Sequence, residues 1–191
     1  MQTRTLVTRA KLLQVAQALV ADGGYGALRV DEVVKEAGVA KGTFFAHFRD
    51  KDALMDHLIG GQIDLLIDQA TVHPAPNNVD DLVTCLTPLM VFMTSERYVF
   101  DIILRHSGAA AKDEIGAIAQ TFARQVNLMS DWVAGGPFRT DVPARLLADG
   151  IQAFLIHCIG LQFCAAHQGA PMDQRLRHFL DAWLSPIARS P

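Results

Sequence analysis

Apolar residues recur at helical spacing along almost the whole chain. Leu12, Ala16, Leu19 and Val20 share one face of a stretch over about 6–22 that ends at Gly23-Gly24, as an amphipathic helix with a glycine stop would. Val30, Val33, Val34 and Ala37 make a second, much shorter face that stops at Gly38. A third begins at Lys41, where Phe44, Phe45 and Phe48 alternate with Lys41, Thr43 and His47. From about 51 to 71 a longer pattern carries Leu54, Leu58, Leu65 and Leu66, with Gly60-Gly61 in its middle. Those glycines cost about 1 kcal/mol each against alanine, and are explained either by close packing against another helix or by a compliant point. The two prolines of His73-Pro74-Ala75-Pro76-Asn77-Asn78 break the pattern. Helices are then predicted over about 79–94, 96–107, 111–134, 142–167 and 172–187. Thr140 or Asp141 is expected to cap the 142–167 helix, with Pro143 in its first turn. Nothing reads as a strand, so the predicted fold class is all-α.

The stretch VDEVVKEAGVAKGTFFAHFRDKDAL, residues 30–54, carries the chemistry. Two helices this short cannot bury enough surface to stand alone. A glycine in a tight turn between them suits a helix-turn-helix, whose second helix enters the DNA major groove. Gly23, Gly24 and Gly26 do not make a phosphate loop: no strand precedes them and neither glycine fingerprint fits. They read as a helix stop and a turn.

The longer segment GYGALRVDEVVKEAGVAKGTFFAHFRDKDAL resembles the DNA-binding domain of the TetR family of one-component transcriptional repressors. The likeness lies in Gly24-Tyr25, the Ala37-Gly38-Val39 turn, Lys41-Gly42-Thr43, the aromatic pair, His47-Phe48, and Lys51 before Leu54. It covers roughly the first 55 residues. It implies a head over 1–50 and a larger helical ligand-binding and dimerisation domain over 51–191. By this resemblance Lys41 to His47 form the recognition helix, with its N-terminal amides toward phosphate. Lys41 is expected to meet phosphate or a guanine edge, Gly42 to permit close approach, and Thr43 to touch a thymine methyl or phosphate. His47 and Lys51 add phosphate contacts. Phe44, Phe48 and Tyr25 are expected to be structural.

Three positions depart from the usual pattern. Ala40 stands where many relatives carry a capping Ser, a loss of typically about 1 kcal/mol. Phe45 stands where many carry Tyr, removing a hydroxyl from the DNA face. Arg29 replaces the usual Ser or Thr and offers a charged phosphate contact instead.

Charge is distributed accordingly. The chain of 191 residues has a net charge of −3, yet residues 1–55 hold eight Lys/Arg against six Asp/Glu and the remainder nine against fourteen. A mildly basic head on an acidic body suits DNA contact at one end. Half of the residues are hydrophobic and 19% are charged, a composition that folds. No export signal precedes Arg9 and Lys11, and no uncharged stretch has the length of a membrane span. Gly150–His167 comes nearest, broken by Gln152, His157 and Gln162. With three cysteines, this points to a reducing cytoplasm, free thiols and no membrane partner.

In the body, Leu86, Met90, Phe100, Ile103, Phe122, Met129, Trp132 and Phe154 are candidates to line an apolar pocket, because methionine and aromatic side chains fit irregular shapes. With few charges nearby, an apolar or aromatic effector is expected. The family resemblance implies a homodimer paired through the last two long helices, where Leu146, Ile151, Leu155, Ile159, Phe179, Leu180 and Trp183 are the candidate contacts. The reading is a repressor on a pseudo-palindromic operator in double-stranded DNA, released by a small molecule, with no cofactor. Two alternatives stay open: a DNA-binding protein of this fold without an effector, and a metal- or redox-responsive switch using Cys158, Cys164, His157 and His167. No metal site is nominated, because that spacing matches none. No enzyme is expected either: His106-Ser107 lacks a strained nucleophile turn and an oxyanion hole.

Overall fold

The structure, a computed structural model, describes residues 2–107, 115–164, 166 and 169–185. Among them it has nine helices and no strand: α1 (Gln2–Gly23), α2 (Val30–Glu36), α3 (Lys41–Phe45), α4 (Lys51–Val72), α5 (Val79–Met93), α6 (Arg97–His106), α7 (Ala117–Gly135), α8 (Ala144–Gln162) and α9 (Met172–Leu184). The all-α fold class is therefore as the periodicity predicts. The chain divides into two compact units, Met1–Gln62 with Glu96–Ala119, and Ile63–Ser95 with Gln120–Pro191. The expected 1–50 head lies inside the first unit, which also takes in the beginning of α4 and all of α6.

In the first unit α1 packs on α2 and α2 on α3, around Leu12, Ala16, Val33, Ala37, Phe44 and Phe48, all buried. Asp50 starts α4 by accepting the Ala53 N–H at 2.8 Å. Gly60 is a close-packing position, since a Cβ there would lie 2.8 Å from that of Ala117, while Gly61 has open space around it.

Helix α7 begins at Ala117, later than the predicted 111; residues 111–114 lie outside the described residues. Its start is made by a side chain distant in sequence. The buried carboxylate of Asp56, on α4, accepts the N–H groups of Ala117 at 2.8 Å and Ile118 at 3.1 Å, filling the role of an N-cap. The same carboxylate lies 3.6 Å from Nδ1 of His106, at the end of α6.

In the second unit α8 packs on α9, and both pack on α5. Asn78 caps α5 by accepting the Asp81 N–H at 2.8 Å. The predicted cap of α8 is corrected: Asp141 is held by Arg139 at 2.6 Å, and α8 begins at Ala144 with Pro143 at the cap position and no side-chain cap. Trp183 of α9 donates its indole N–H to the Leu147 carbonyl at 3.0 Å. Gly150 allows this approach, since a side chain there would collide with the indole. Helix α8 is the one described helix long and apolar enough to cross a membrane by length and composition. It carries Arg145 and Asp149 and buries Leu147, Ala148, Ile151, Leu155, Cys158 and Ile159.

Candidate nucleic-acid interface

The turn between α2 and α3 follows from Gly38. Its φ of +63° lies in the left-handed region, which glycine enters without steric cost. The N–H of Gly38 returns to the Lys35 carbonyl at 3.1 Å, and that of Val39 to the Val34 carbonyl at 3.0 Å. Ala40 then adopts an extended conformation and α3 starts without a side-chain cap, as its composition implies; Arg29 likewise precedes α2 without capping it.

Helix α3 has only five residues, so its orientation comes from packing. Phe44 and Phe48 are buried with ring centroids 5.5 Å apart. Phe45 meets the Phe44 ring edge-on at 5.3 Å yet remains 48% exposed. Arg29, Lys41 and Gly42 are exposed alongside it, and Thr43 and His47 are half-buried. A Cβ on Gly42 would meet nothing within 4 Å, so the fold itself does not demand glycine there. Lys41 pairs with Asp31 at 2.7 Å with both side chains well exposed. Such a pair contributes roughly 0–1 kcal/mol and exchanges readily for another anion.

Lys51 is placed differently from the other nominated residues. It is half-buried, lies 4.7 Å from the centre of the Tyr98 ring, and donates to the Gly26 carbonyl at 3.4 Å. Burial lowers its pKa, with nearby Arg29 acting in the same direction against Asp52 and Glu96. The side chain thus ties α4 to the α1–α2 turn and to α6.

Two supporting residues lie outside the helix-turn-helix segment. Glu96, at the N-cap of α6, accepts the N–H groups of Tyr25 at 2.7 Å and Gly26 at 2.8 Å. Burial, and then the Glu96 charge, raise the pKa of the Tyr25 phenol. Arg9 of α1 stands 4.6 Å over the Phe48 ring, donates to the His47 carbonyl at 3.3 Å and meets Nε2 of His57 at 2.5 Å. Partial burial and then the Arg9 charge lower the His57 pKa. Partners separated by 38 to 71 residues leave no local mark, although an arginine inside an apolar helical face hints at one.

The pocket candidates divide. Leu86, Met129 and Trp132 line a small void of about 20 Å³ in the second unit. Met90 and Phe122 are buried in that unit without lining it, and Phe100 and Ile103 belong to the first unit. Phe154 lies instead on the α8–α9 surface, stacked on Phe179 with centroids 5.0 Å apart and edge-on to Trp183 at 5.9 Å. A cleft of about 570 Å³, which the sequence did not disclose, opens beside the void, between the end of α4, the proline linker and α5.

Of the dimer candidates, Ile151, Leu155, Ile159 and Leu180 are fully buried within the single chain. Leu146 is 52% exposed, and Phe179 and Trp183 are half-buried. Among the described residues no three His, Cys, Asp or Glu side chains form a metal-binding group. Cys158 is buried, and burial raises its thiol pKa; His167 lies outside the described residues.

A short uncapped helix set on two buried phenylalanines, with a basic exposed face, defines the helix-turn-helix class of DNA-binding domain. Residues 12–58 match the family described as bacterial regulatory proteins, tetR family. It is 30% identical over 102 residues to the uncharacterized HTH-type transcriptional regulator YvdT of Bacillus subtilis, which covers 52% of each chain. The chain thus spans about half the length, or less, of the curated relatives it matches. Among solved structures, Thermus thermophilus FadR, a TetR-family transcriptional repressor in complex with lauroyl-CoA, has a TM-score of 0.67 at 17% identity, covering 96% of this chain and 98% of that one. RolR in complex with resorcinol has a TM-score of 0.67 at 18% identity, covering 98% and 92%. At such identities these structures share the fold.

Proposed function

We propose that this protein is a homodimeric transcriptional repressor of the cytoplasm, released from a pseudo-palindromic operator by a small, mainly apolar ligand. The observation that carries the reading is the exposed face of α3. Lys41, Gly42 and Phe45 stand out, with half-buried Thr43 among them, from a platform of buried Phe44 and Phe48, and Arg29 is exposed at the start of α2. Lys41 and Arg29 supply phosphate contacts, and the bare backbone at Gly42 admits a close approach. Phe45 replaces hydroxyl chemistry with an apolar surface suited to a thymine methyl.

One head of this size reads few base pairs, so two heads on a palindrome are the physical route to specificity. The half-buried aromatic rings of Phe154, Phe179 and Trp183, together with exposed Leu146, support pairing through α8 and α9. The repressor and ligand assignments draw on the FadR and RolR likenesses. A ligand acts by favouring a head spacing that no longer fits the operator.

Selection of bound sequences from a random duplex library at near-physiological salt tests the reading. Enrichment of a palindrome is expected. Folded protein that enriches no sequence would overturn it.

A further inference from the structure

We infer that the cleft between α4 and α5 and the void beside it form one binding tract for a neutral, mainly apolar compound with a hydrogen-bond acceptor at its leading end, received by Gln125. This rests on the ligand-responsive reading above and gives that ligand a site and a chemical class. Three residues, Leu66, Ala70 and Cys85, line both spaces, so the two share a common wall. The cleft, at about 570 Å³, is in the range of small-molecule pockets.

Gln125 supplies the specificity. It lines the void and is 2% exposed, and its side-chain Nε2 has no partner among the described residues. A buried amide left unpaired is unfavourable. A single water would satisfy it poorly, because a buried water needs two to four polar partners and the remaining walls are predominantly aliphatic, with Met129, Cys85 and Trp132. A carbonyl or ether oxygen on an apolar body matches both requirements.

Charge selects the class. Among the described wall residues of cleft and void there is no Lys or Arg, and the one carboxylate is Asp81 at the cleft. His73 is the one imidazole at the cleft, and the void that holds Gln125 has no Lys, Arg or His, so an anionic group carried as far as Gln125 would be buried without a countercharge.

Benzophenone and diphenylmethane, which differ in one carbonyl oxygen, are suitable probes. Binding is followed on the methyl resonance of Met129, which lines the void, in methyl-labelled full-length protein without DNA. Both compounds are expected to shift that resonance, with the ketone bound about tenfold more tightly. Gln125→Leu should erase the preference while retaining diphenylmethane. In case that variant fails to fold, the carbonyl stretch of bound benzophenone in the wild-type protein should move to lower frequency, as a hydrogen-bonded ketone does. No Met129 shift with either probe, equal affinities, a preference that survives Gln125→Leu, or an unshifted carbonyl stretch would each overturn the assignment. Operator affinity is measured separately: a probe that occupies the tract yet leaves DNA binding unchanged counts against ligand release, not against the site.

Discussion

The carboxylate of Glu96 accepts the backbone N–H of Tyr25 at 2.7 Å across 71 residues of chain. With a second bond to the Gly26 N–H at 2.8 Å, the N-terminus of α6 holds the turn that separates α1 from α2. Glu96→Ala removes a charged acceptor from two amides. A loss of about 1–3 kcal/mol in unfolding free energy is expected, measured by urea denaturation. Glu96→Gln, which keeps one acceptor oxygen, should lose less. An unchanged midpoint in both variants would mean water serves these amides equally well.

Lys41→Ala should leave stability within about 0.5 kcal/mol of the parent, because its pair with Asp31 is exposed. DNA affinity should fall, and the dependence of binding on salt should weaken by about one counterion. Fluorescence anisotropy of an operator duplex over a salt series reads both quantities. Undiminished affinity would remove α3 from the DNA interface.

His57 gives the head a pH dependence of definite sign. Burial and then Arg9 hold its pKa below the ordinary histidine value, so the folded state binds its proton less readily than the unfolded chain does. The resulting stability is fully present above about pH 6.5 and is lost as the pH falls through the folded-state pKa. Protonation also sets two cations against each other where Arg9 now meets Nε2. His57→Gln should therefore flatten the decline in melting temperature between about pH 7 and pH 5. An equally steep decline in the variant would assign it to other groups.

Gly150→Ala should destabilise the second unit by about 1–3 kcal/mol, since the new methyl group meets the Trp183 indole. The double variant with Trp183→Phe should recover part of the loss, because the smaller ring relieves the collision. Denaturant titration of the singles and the double separates the two effects; strictly additive losses would show that the ring and the methyl group do not compete.

Much of the head was legible in the sequence because its signals are local. The glycine at 38, the apolar spacing of Val33, Val34 and Ala37, and the phenylalanines four apart lie within a few residues of what they determine. Lys51 shows where this ends: its bond to the Gly26 carbonyl and its approach to the Tyr98 ring involve residues far along the chain, which no local pattern marks. The body illustrates a second limit. Ile151, Leu155 and Ile159 repeat every four residues on α8 and bury themselves within the chain, and spacing alone does not distinguish such a face from one awaiting a partner. Nor could it place Gln125, a polar residue inside α7 whose burial depends on the helices that enclose it.

The Asp56 carboxylate adjoins His106 on one side and receives the amides of Ala117 and Ile118 on the other, so both ends of the connection from α6 to α7 are moored to one side chain. One carboxylate on α4 therefore serves as a shared anchor for the end of one helix and the start of the next, so Asp56→Ala would release both ends at once.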